Sequence, residues 1–203
     1  MAAAGKVRIG FSKPYVADYA CSGGTITYSN GMRLARGVEV ALETNTSESD
    51  PFYADNTAAE TEDGNFTDGT LTLTVDGLFQ EVERTLMGLP AATDGWIDYD
   101  DRQSIPYKGI GYIEKYVSDN VESFCPVVLV KTAFNQLADS AATSEGKRNY
   151  KTQALTARVL RGDDDNHTWK KLGKEDFATE AEAEAAIKEL FNIADNADED
   201  DDP

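Results

Sequence analysis

The sequence is poor in the residues from which most catalytic and metal sites are built. Its 203 residues include one histidine, His167, and two cysteines, Cys21 and Cys125, which lie far apart and lack metal-ligand spacing. No nucleophile is placed to pair with His167, so a histidine in a turn or on the surface is favoured over a general base. The cysteines are predicted to be buried, reduced thiols. We therefore expect neither catalysis nor a cofactor nor a metal site.

Long apolar runs are also missing. The longest, Pro126–Val130, is far too short to span a bilayer, and no apolar run of signal-peptide length follows Met1. These two absences predict a soluble protein that is made in the cytosol and does not contact a membrane.

Positive charge is scarce. The chain has 19 basic and 37 acidic side chains, a net charge of -18, and 15 of the acids lie between Asp163 and the C-terminus. Phosphates would repel such a chain at long range, which argues against nucleic-acid binding as a primary function. Between Gly37 and Glu83 there are twelve carboxylates and no lysine or arginine.

That acidic stretch begins and ends with strand-like alternation, which is clear at Val38–Glu43 and again at Thr70–Val75. The polar segment between the two patterns, residues 44–69, is long for a connection inside a compact domain, and its length is typical of a functional arm. Its apolar side chains would have little reason to occur in a purely solvated linker. They are Phe52, Tyr53, Ala54 and Phe66.

Further strands are predicted from alternation and from short apolar runs. The first is interrupted near Pro14, and a tight hairpin is predicted at Asn30–Gly31, since this pair supplies the positive φ angles of a two-residue turn. The remaining predicted strands are 107–117, 123–134, 150–161 and 168–172.

Two helices are predicted. The first, residues 77–88, would be capped by Asp76 and stopped by Gly88, and its apolar stripe would comprise Leu78, Phe79, Val82 and Leu86. The second lies in a C-terminal extension, residues 173–194, where Thr179 and Glu182 have the spacing of a capping box. An acidic tail, residues 195–203, is expected to be disordered.

The order of several segments resembles the major tail tube proteins of long-tailed, non-contractile bacteriophages. The similarity covers most of residues 5–172, and its most specific part is an arm between two strands followed by an Asp-Gly-Leu that begins a helix. The segments that carry it are Val38–Thr44, Phe52–Asn56, Ala59–Thr61, Thr70–Leu78, Leu86–Gly88, Ile105–Tyr112 and Lys151–Ala157.

The resemblance implies a mainly β fold: a β-sandwich or partial barrel over residues 1–172, with one flanking helix and a C-terminal helix. It also implies a structural virion protein whose six copies close into rings that stack into a hollow tail tube for DNA ejection. The arm would reach neighbouring subunits through Phe52, Tyr53, Ala54, Asp55 and Phe66. The partners of the protein would be further copies of the chain, the tape measure protein and other tail proteins. Its location would be the virion tail and, during assembly, the host cytoplasm.

Genomic DNA would pass through such a tube without specific binding. A lumen lined with carboxylates would repel DNA phosphates, so Glu39 and Glu43 are candidates for lumen-facing residues.

Three alternatives remain open. Trp96 and Tyr99, beside Asp98, Asp100 and Asp101, would suit a non-enzymatic carbohydrate-binding module, and the same acids could in principle form a glycosidase pair. The run Asp163–Asn166 could chelate calcium, although a solvated turn is favoured because the glycine and distant glutamate of a calcium loop are missing. Another phage part, such as a tail terminator or decoration protein, is the third.

Overall fold

The fold is mainly β, as predicted, with 52% strand and 12% helix. A computed structural model describes residues 5–47, 51–54, 57–61, 64–138 and 150–194, with 51–54 and 57–61 described by their backbone alone. The strands are β1 (Val7–Ser22), β2 (Thr25–Arg33), β3 (Gly37–Thr46), β4 (Pro51–Ala54), β5 (Thr57–Thr61), β6 (Phe66–Val75), β7 (Lys108–Ser118), β8 (Val121–Phe134), β9 (Gln153–Leu160) and β10 (Lys170–Leu172). The helices are α1 (Gln80–Met87) and α2 (Glu180–Leu190).

Eight of the strands form one antiparallel sheet. Seven follow the order β2-β1-β7-β8-β9-β6-β3, and β10 pairs with β8 beside the point where β9 leaves it. The sheet bends back on itself, as the contact between β1 and β3 shows. The ring of Phe11 in β1 lies so close to Gly37 of β3 that a Cβ on Gly37 would be 2.3 Å from Cζ of Phe11. Strands distant in the sheet order therefore face each other, and the result is sandwich-like.

The main core fills the space inside this bend. It is made of alternate side chains of the strands, such as Leu71, Leu73 and Val75 of β6, and the end of α1 adds Leu86 and Met87. Strand residues point alternately to opposite faces, so the intervening side chains of β6 point away from the core.

The first strand is interrupted as predicted. Its register against β7 shifts between Ser12 and Tyr15, where Lys13 adopts a positive φ of 50° and Pro14 follows. A proline has no N–H to donate to a sheet ladder, so an irregular site in a strand is where it is tolerated.

The hairpin predicted at Asn30–Gly31 is wrong. The chain turns instead at Gly23–Gly24, and β2 runs through Asn30 with a register shift against β1. The positive φ of Asn30, 50°, produces a bulge rather than a turn, and a Cβ on Gly31 would lie 2.4 Å from Cγ1 of Ile193. Asn-Gly chemistry suits both structures, and here the packing of the C-terminal residues on Gly31 favours the bulge.

The arm is more regular than predicted. Strands β3 and β6 remain paired to Thr46 and Phe66, and just beyond them the N–H of Ser47 donates to the carbonyl of Asn65 at 2.8 Å. Strands β4 and β5 form a separate two-stranded sheet within the arm. The predicted irregular connection is therefore a β-ribbon that carries a second hairpin.

The first helix is shorter than predicted and begins differently. Asp76 does not cap it, because its carboxylate accepts hydrogen bonds from the N–H and Nε of Arg36, and Phe79 is the N-cap residue without a side-chain bond. Phe79 is 80% exposed and does not belong to the buried stripe. The predicted stop is confirmed: Gly88 has a left-handed φ of 61°.

The second helix covers the other face of strands β1, β7 and β8. The predicted capping box is present, with Thr179 and Glu182 bonded reciprocally. Phe191, at the end of the helix, lies against Gly109 and Gly111 of β7, where a Cβ would be 3.2 and 3.1 Å from its ring atoms. A second buried cluster results, which includes Tyr15, Tyr28, Ile187 and Phe191. Among the helices of the described ranges, none is long and apolar enough to cross a membrane.

Candidate functional site

Both candidate lumen-facing carboxylates lie on one exposed face of the sheet. The pairing registers place the outward residues of β3, β6 and β9 in three rows across the strands. The rows are Glu39–Thr74–Ala154, Ala41–Thr72–Thr156 and Glu43–Thr70–Arg158. We call these nine residues the threonine face.

The threonine face is small, polar and uncovered. Glu39 and Glu43 are exposed, and neither helix packs on this part of the sheet. Interface cores are enriched in aromatic side chains, and the nine residues include none. The face therefore has the composition of a surface that meets water.

The strand at the border of this face has a free edge. Strand β3 is terminal in the sheet order, so only β6 pairs with it among the strands that the structure describes. It is ten residues long, and an unpaired edge of this length is a template for pairing with another chain.

Of the predicted arm residues, the structure places the side chain of Phe66. Its ring stacks on Trp169 of its own chain, with centroids 4.1 Å apart and planes 10° apart. This contact anchors the base of the ribbon to the sandwich, and the contact of Phe66 with a neighbouring subunit stays a prediction. Asp55 and the side chains of Phe52, Tyr53 and Ala54 lie outside the described residues.

The aromatic loop weighed for carbohydrate binding is exposed. Trp96 and Tyr99 are 76% and 53% exposed, and the Tyr99 hydroxyl donates to Glu83 on α1. Asp100 accepts hydrogen bonds from the Arg102 guanidinium, which lower the pKa of Asp100. That carboxylate is paired with a cation and is not the protonated group that a glycosidase acid requires.

Two of the three acids of the Asp163–Asn166 turn bind groups of the turn or of the neighbouring strand β8. Asp163 pairs with Lys131 at 2.8 Å, and hydrogen bonding from Lys131 lowers the pKa of Asp163. Asp164 accepts from the N–H and hydroxyl of Thr168 at 2.9 and 2.7 Å, as expected for a side chain that closes a turn. Within the described ranges, no group of three or more His, Cys, Asp or Glu side chains is arranged to hold a metal ion.

A cleft of about 520 Å³ lies between α1 and the β1–β2 hairpin. Its charged groups are paired: buried Lys108 with Asp18, and Arg84 with Glu81. Burial opposes ionisation of Asp18, but hydrogen bonds from Lys108 and Asn30 outweigh it and lower the pKa of Asp18. The cleft thus holds a structural ion pair that joins β1, β2 and β7.

Neither cysteine forms a disulfide. Cys125 is buried, and burial raises the pKa of its thiol, which keeps the group protonated near neutral pH. This environment is that of a packed residue rather than an activated nucleophile.

The structure also identifies surfaces that the sequence patterns did not single out. Phe79 is exposed beside the aromatic loop, and Lys170, Lys171 and Lys174 lie together on and after β10. The only sequence signal for the second group is three lysines within five residues of a strongly acidic chain.

No protein-family model matches the sequence, and no curated protein matches it.

Proposed function

We propose that the chain is a structural, self-assembling subunit of a phage tail tube, of the long-tailed, non-contractile type that the sequence resembles. Six copies would close into a ring, and rings would stack into a hollow tube through which viral DNA leaves the particle. The protein would act without catalysis and without a cofactor.

The observation that supports this proposal most is the combination of three features in strand β3. The strand has a free edge, presents Glu39 and Glu43 on an uncovered face, and continues into the ribbon that carries the β4–β5 hairpin. A free edge can pair with the sheet of another copy, and closing a sheet across copies removes every edge.

The threonine face suits the wall of a conduit. Its threonines offer hydroxyl groups to water, and its two glutamates repel phosphates over roughly 8–10 Å at physiological salt. Arg158 is exposed on the same face, and its guanidinium lies 3.5 Å from the carboxylate of Asp68. DNA would therefore be kept hydrated and would not adhere.

In this role the partners are further copies of the chain, a tape measure protein inside the tube, and the other tail proteins at its ends. The place of action is the virion tail, after assembly in the host cytoplasm. DNA is cargo that passes through and is not bound specifically.

The test is electron microscopy of the concentrated protein beside a variant without the arm. Because Ser47 and Asn65 are hydrogen bonded across the ribbon, residues 48–64 can be replaced by Asn-Gly, a pair that closes two-residue hairpins. We expect the wild type to form rings or tubes. The shortened variant should fold and stay monomeric, because it keeps the sandwich and loses the arm.

Two further variants refine the test. Phe52→Ala with Tyr53→Ala removes only the predicted arm anchors, and Tyr150→Ala removes a ring that is 83% exposed outside the arm. Loss of assembly in the first and not in the second would assign the effect to the arm. A wild-type protein that stays monomeric at its highest soluble concentration would contradict the proposal.

A further inference from the structure

Two surfaces of opposite charge are exposed on the subunit. The first, which we call the acidic aromatic surface, comprises Phe79, Glu83, Trp96, Asp98, Tyr99 and Asp101. The N–H of Glu83 donates to the carbonyl of Phe79 within α1, and the carboxylate of Glu83 accepts from the Tyr99 hydroxyl. These bonds hold the helix and the loop together, so the exposed rings and carboxylates form one surface.

The rings of this surface are more exposed than folding alone accounts for. Phe79 is 80% and Trp96 is 76% exposed, whereas Leu86 and Met87, further along the same helix, are fully buried. Exposed aromatic side chains rimmed by polar groups are typical of protein interfaces, where such rings act as anchors.

The second surface is basic. Lys170, Lys171 and Lys174, with Leu172 and Gly173 between them, form what we call the lysine strand. Of the ten lysines in the described residues, six pair with a carboxylate, and three of the remaining four are in the lysine strand. These three ammonium groups have no carboxylate partner among the residues that the structure describes, so their positive charge can meet a carboxylate of another copy.

An apolar groove adjoins the lysine strand. It has a volume of about 480 Å³, lies between β10 and α2, and is lined by Lys171, Leu172, Pro126, Ile187 and Leu190 among others. Leu172 is 58% exposed. The groove is bordered by Lys171 and Glu189. With Lys170 and Lys174 close to Lys171 in the chain, its apolar walls and basic side complement a surface of rings and carboxylates.

The two surfaces lie at different levels along β8, one near its end and the other near its middle. The loop of the acidic aromatic surface lies near the end of β8, where Nε2 of Gln136 donates to Oε1 of Gln103 at 2.8 Å. The lysine strand pairs further back along β8, at Val127–Leu129. Lys170 pairs with Leu129, and the five-residue step from Leu129 to Phe134 spans roughly 17 Å at about 3.3 Å per residue, so the surfaces are too far apart to meet within one copy.

We propose that the acidic aromatic surface of one copy docks on the lysine strand and groove of the next copy. The contact is heterologous, and its repetition stacks subunits head to tail along the strand direction. The inference rests on the proposed self-assembly and adds which surfaces join successive subunits. It leaves the free edge of β3 and the arm for other contacts.

Charge exchange tests the contact. One variant carries Lys170→Glu, Lys171→Glu and Lys174→Glu, and the other carries Asp98→Lys and Asp101→Lys. We expect each to weaken self-association at least about tenfold in sedimentation velocity. An equimolar mixture should regain it, because each reversed surface then meets an oppositely charged one.

Single substitutions supply the matched control. Lys171→Glu should weaken association, whereas Lys151→Glu, at an exposed lysine outside the surface, should leave it unchanged. Circular dichroism and the melting temperature confirm that each variant folds.

The outcomes separate this inference from the proposed function. If both charge variants assemble like the wild type, or if the folded variants fail to recover on mixing, the contact is wrong while self-assembly stands. If the wild-type chain itself never associates, both proposals fail.

Discussion

At the scale of single residues, Glu184 illustrates how the second helix is held. The carboxylate accepts hydrogen bonds from the Tyr15 hydroxyl and from Lys13 of β1, and Lys188 lies 3.7 Å away on the same helix. Burial opposes ionisation of Glu184, but the bonds from Lys13 and Tyr15 outweigh it and lower its pKa. The charged form is therefore the one that the fold stabilises.

Glu184→Gln should lower the free energy of unfolding at neutral pH by about 1–3 kcal/mol, the usual range for hydrogen bonds to a charged group. Because the folded-state pKa lies below the ordinary value of 4.5, this stabilisation is fully present above pH 4.5 and is lost as the pH falls from there through the lower folded-state pKa. The gap between wild type and variant should therefore narrow in urea unfolding below about pH 4.5. Glu189→Gln, an exposed position on the same helix, is the control and should show no such gap.

At the scale of elements, two glycines of β7 allow the second helix to pack closely on the strand. Gly109 and Gly111 have no side chain on the face that meets Phe191 and Ile187, so the helix end approaches the strand closely. Glycine weakens a strand through its conformational entropy, and here the close helix contact offsets that weakness.

Gly111→Ala should therefore destabilise the fold even though alanine is the better strand residue. The new Cβ would lie 2.7 Å from Cγ2 of Ile187, and overpacking of this kind costs about 1–3 kcal/mol. Hydrogen exchange should show that the amides of α2 lose protection before those of β6.

Gly10→Ala is the matched control in a neighbouring strand, because the nearest atom to its Cβ would be 3.9 Å away. Its effect should stay within about 0.5 kcal/mol. An equal loss of stability in Gly111→Ala and Gly10→Ala would contradict the close packing of the second helix on Gly111.

The ribbon has an anchored base and, beyond it, a hairpin that forms a separate sheet. Its base is tied to the sandwich by the stack of Phe66 on Trp169 and by Nε of Arg161, which donates to the carbonyl of Phe66 at 2.6 Å. Beyond this anchor the β4–β5 hairpin forms its own sheet. An arm with a fixed base loses less conformational entropy on docking than an unstructured linker of the same length.

At the scale of the whole molecule, charge is distributed unevenly in a way that bears on assembly. The net charge is -18, so copies repel one another at long range. Contacts between copies must overcome this repulsion locally, which is the role that the lysine strand has in the proposed head-to-tail contact.

Reversal of the carboxylates on the threonine face tests whether that face lines a channel. We expect tubes of the Glu39→Lys and Glu43→Lys variant to retain short linear DNA at low salt, whereas wild-type tubes retain none. Closed circular DNA cannot thread into a tube, so it should not be retained by either. Co-sedimentation of labelled DNA with the tubes measures both.

Asp119→Lys with Asp165→Lys reverses two exposed carboxylates outside the face and serves as the control. Retention of linear and circular DNA alike by the Glu39→Lys and Glu43→Lys tubes would place the threonine face on the outside and contradict its assignment to the lumen.

Local chemistry explains the parts of the fold that were predicted correctly. The period-2 alternation in β3, β6 and β9 predicts which side chains face the core. The Thr179–Glu182 capping box and Gly88 satisfy backbone groups of the helix ends that lie only a few residues away. These features need no distant partner.

Errors arose where a distant contact chose between two local solutions. Asn30–Gly31 forms a bulge because Phe191 and Ile193, which follow α2, pack against Gly31. Asp76 binds Arg36 of the β2–β3 connection instead of capping α1. The exposure of Phe79 likewise depends on how α1 sits on the core.

Composition and periodicity were enough to predict a mainly β chain with two helices, a strongly negative charge and a long insertion between two strands, because these signals act residue by residue. The uncovered sheet face, the unpaired edge, and the separation of the lysine strand from the acidic aromatic surface emerged only from the folded chain. Those properties depend on the packing of segments far apart in the chain, and they are the ones on which assembly with another copy would depend.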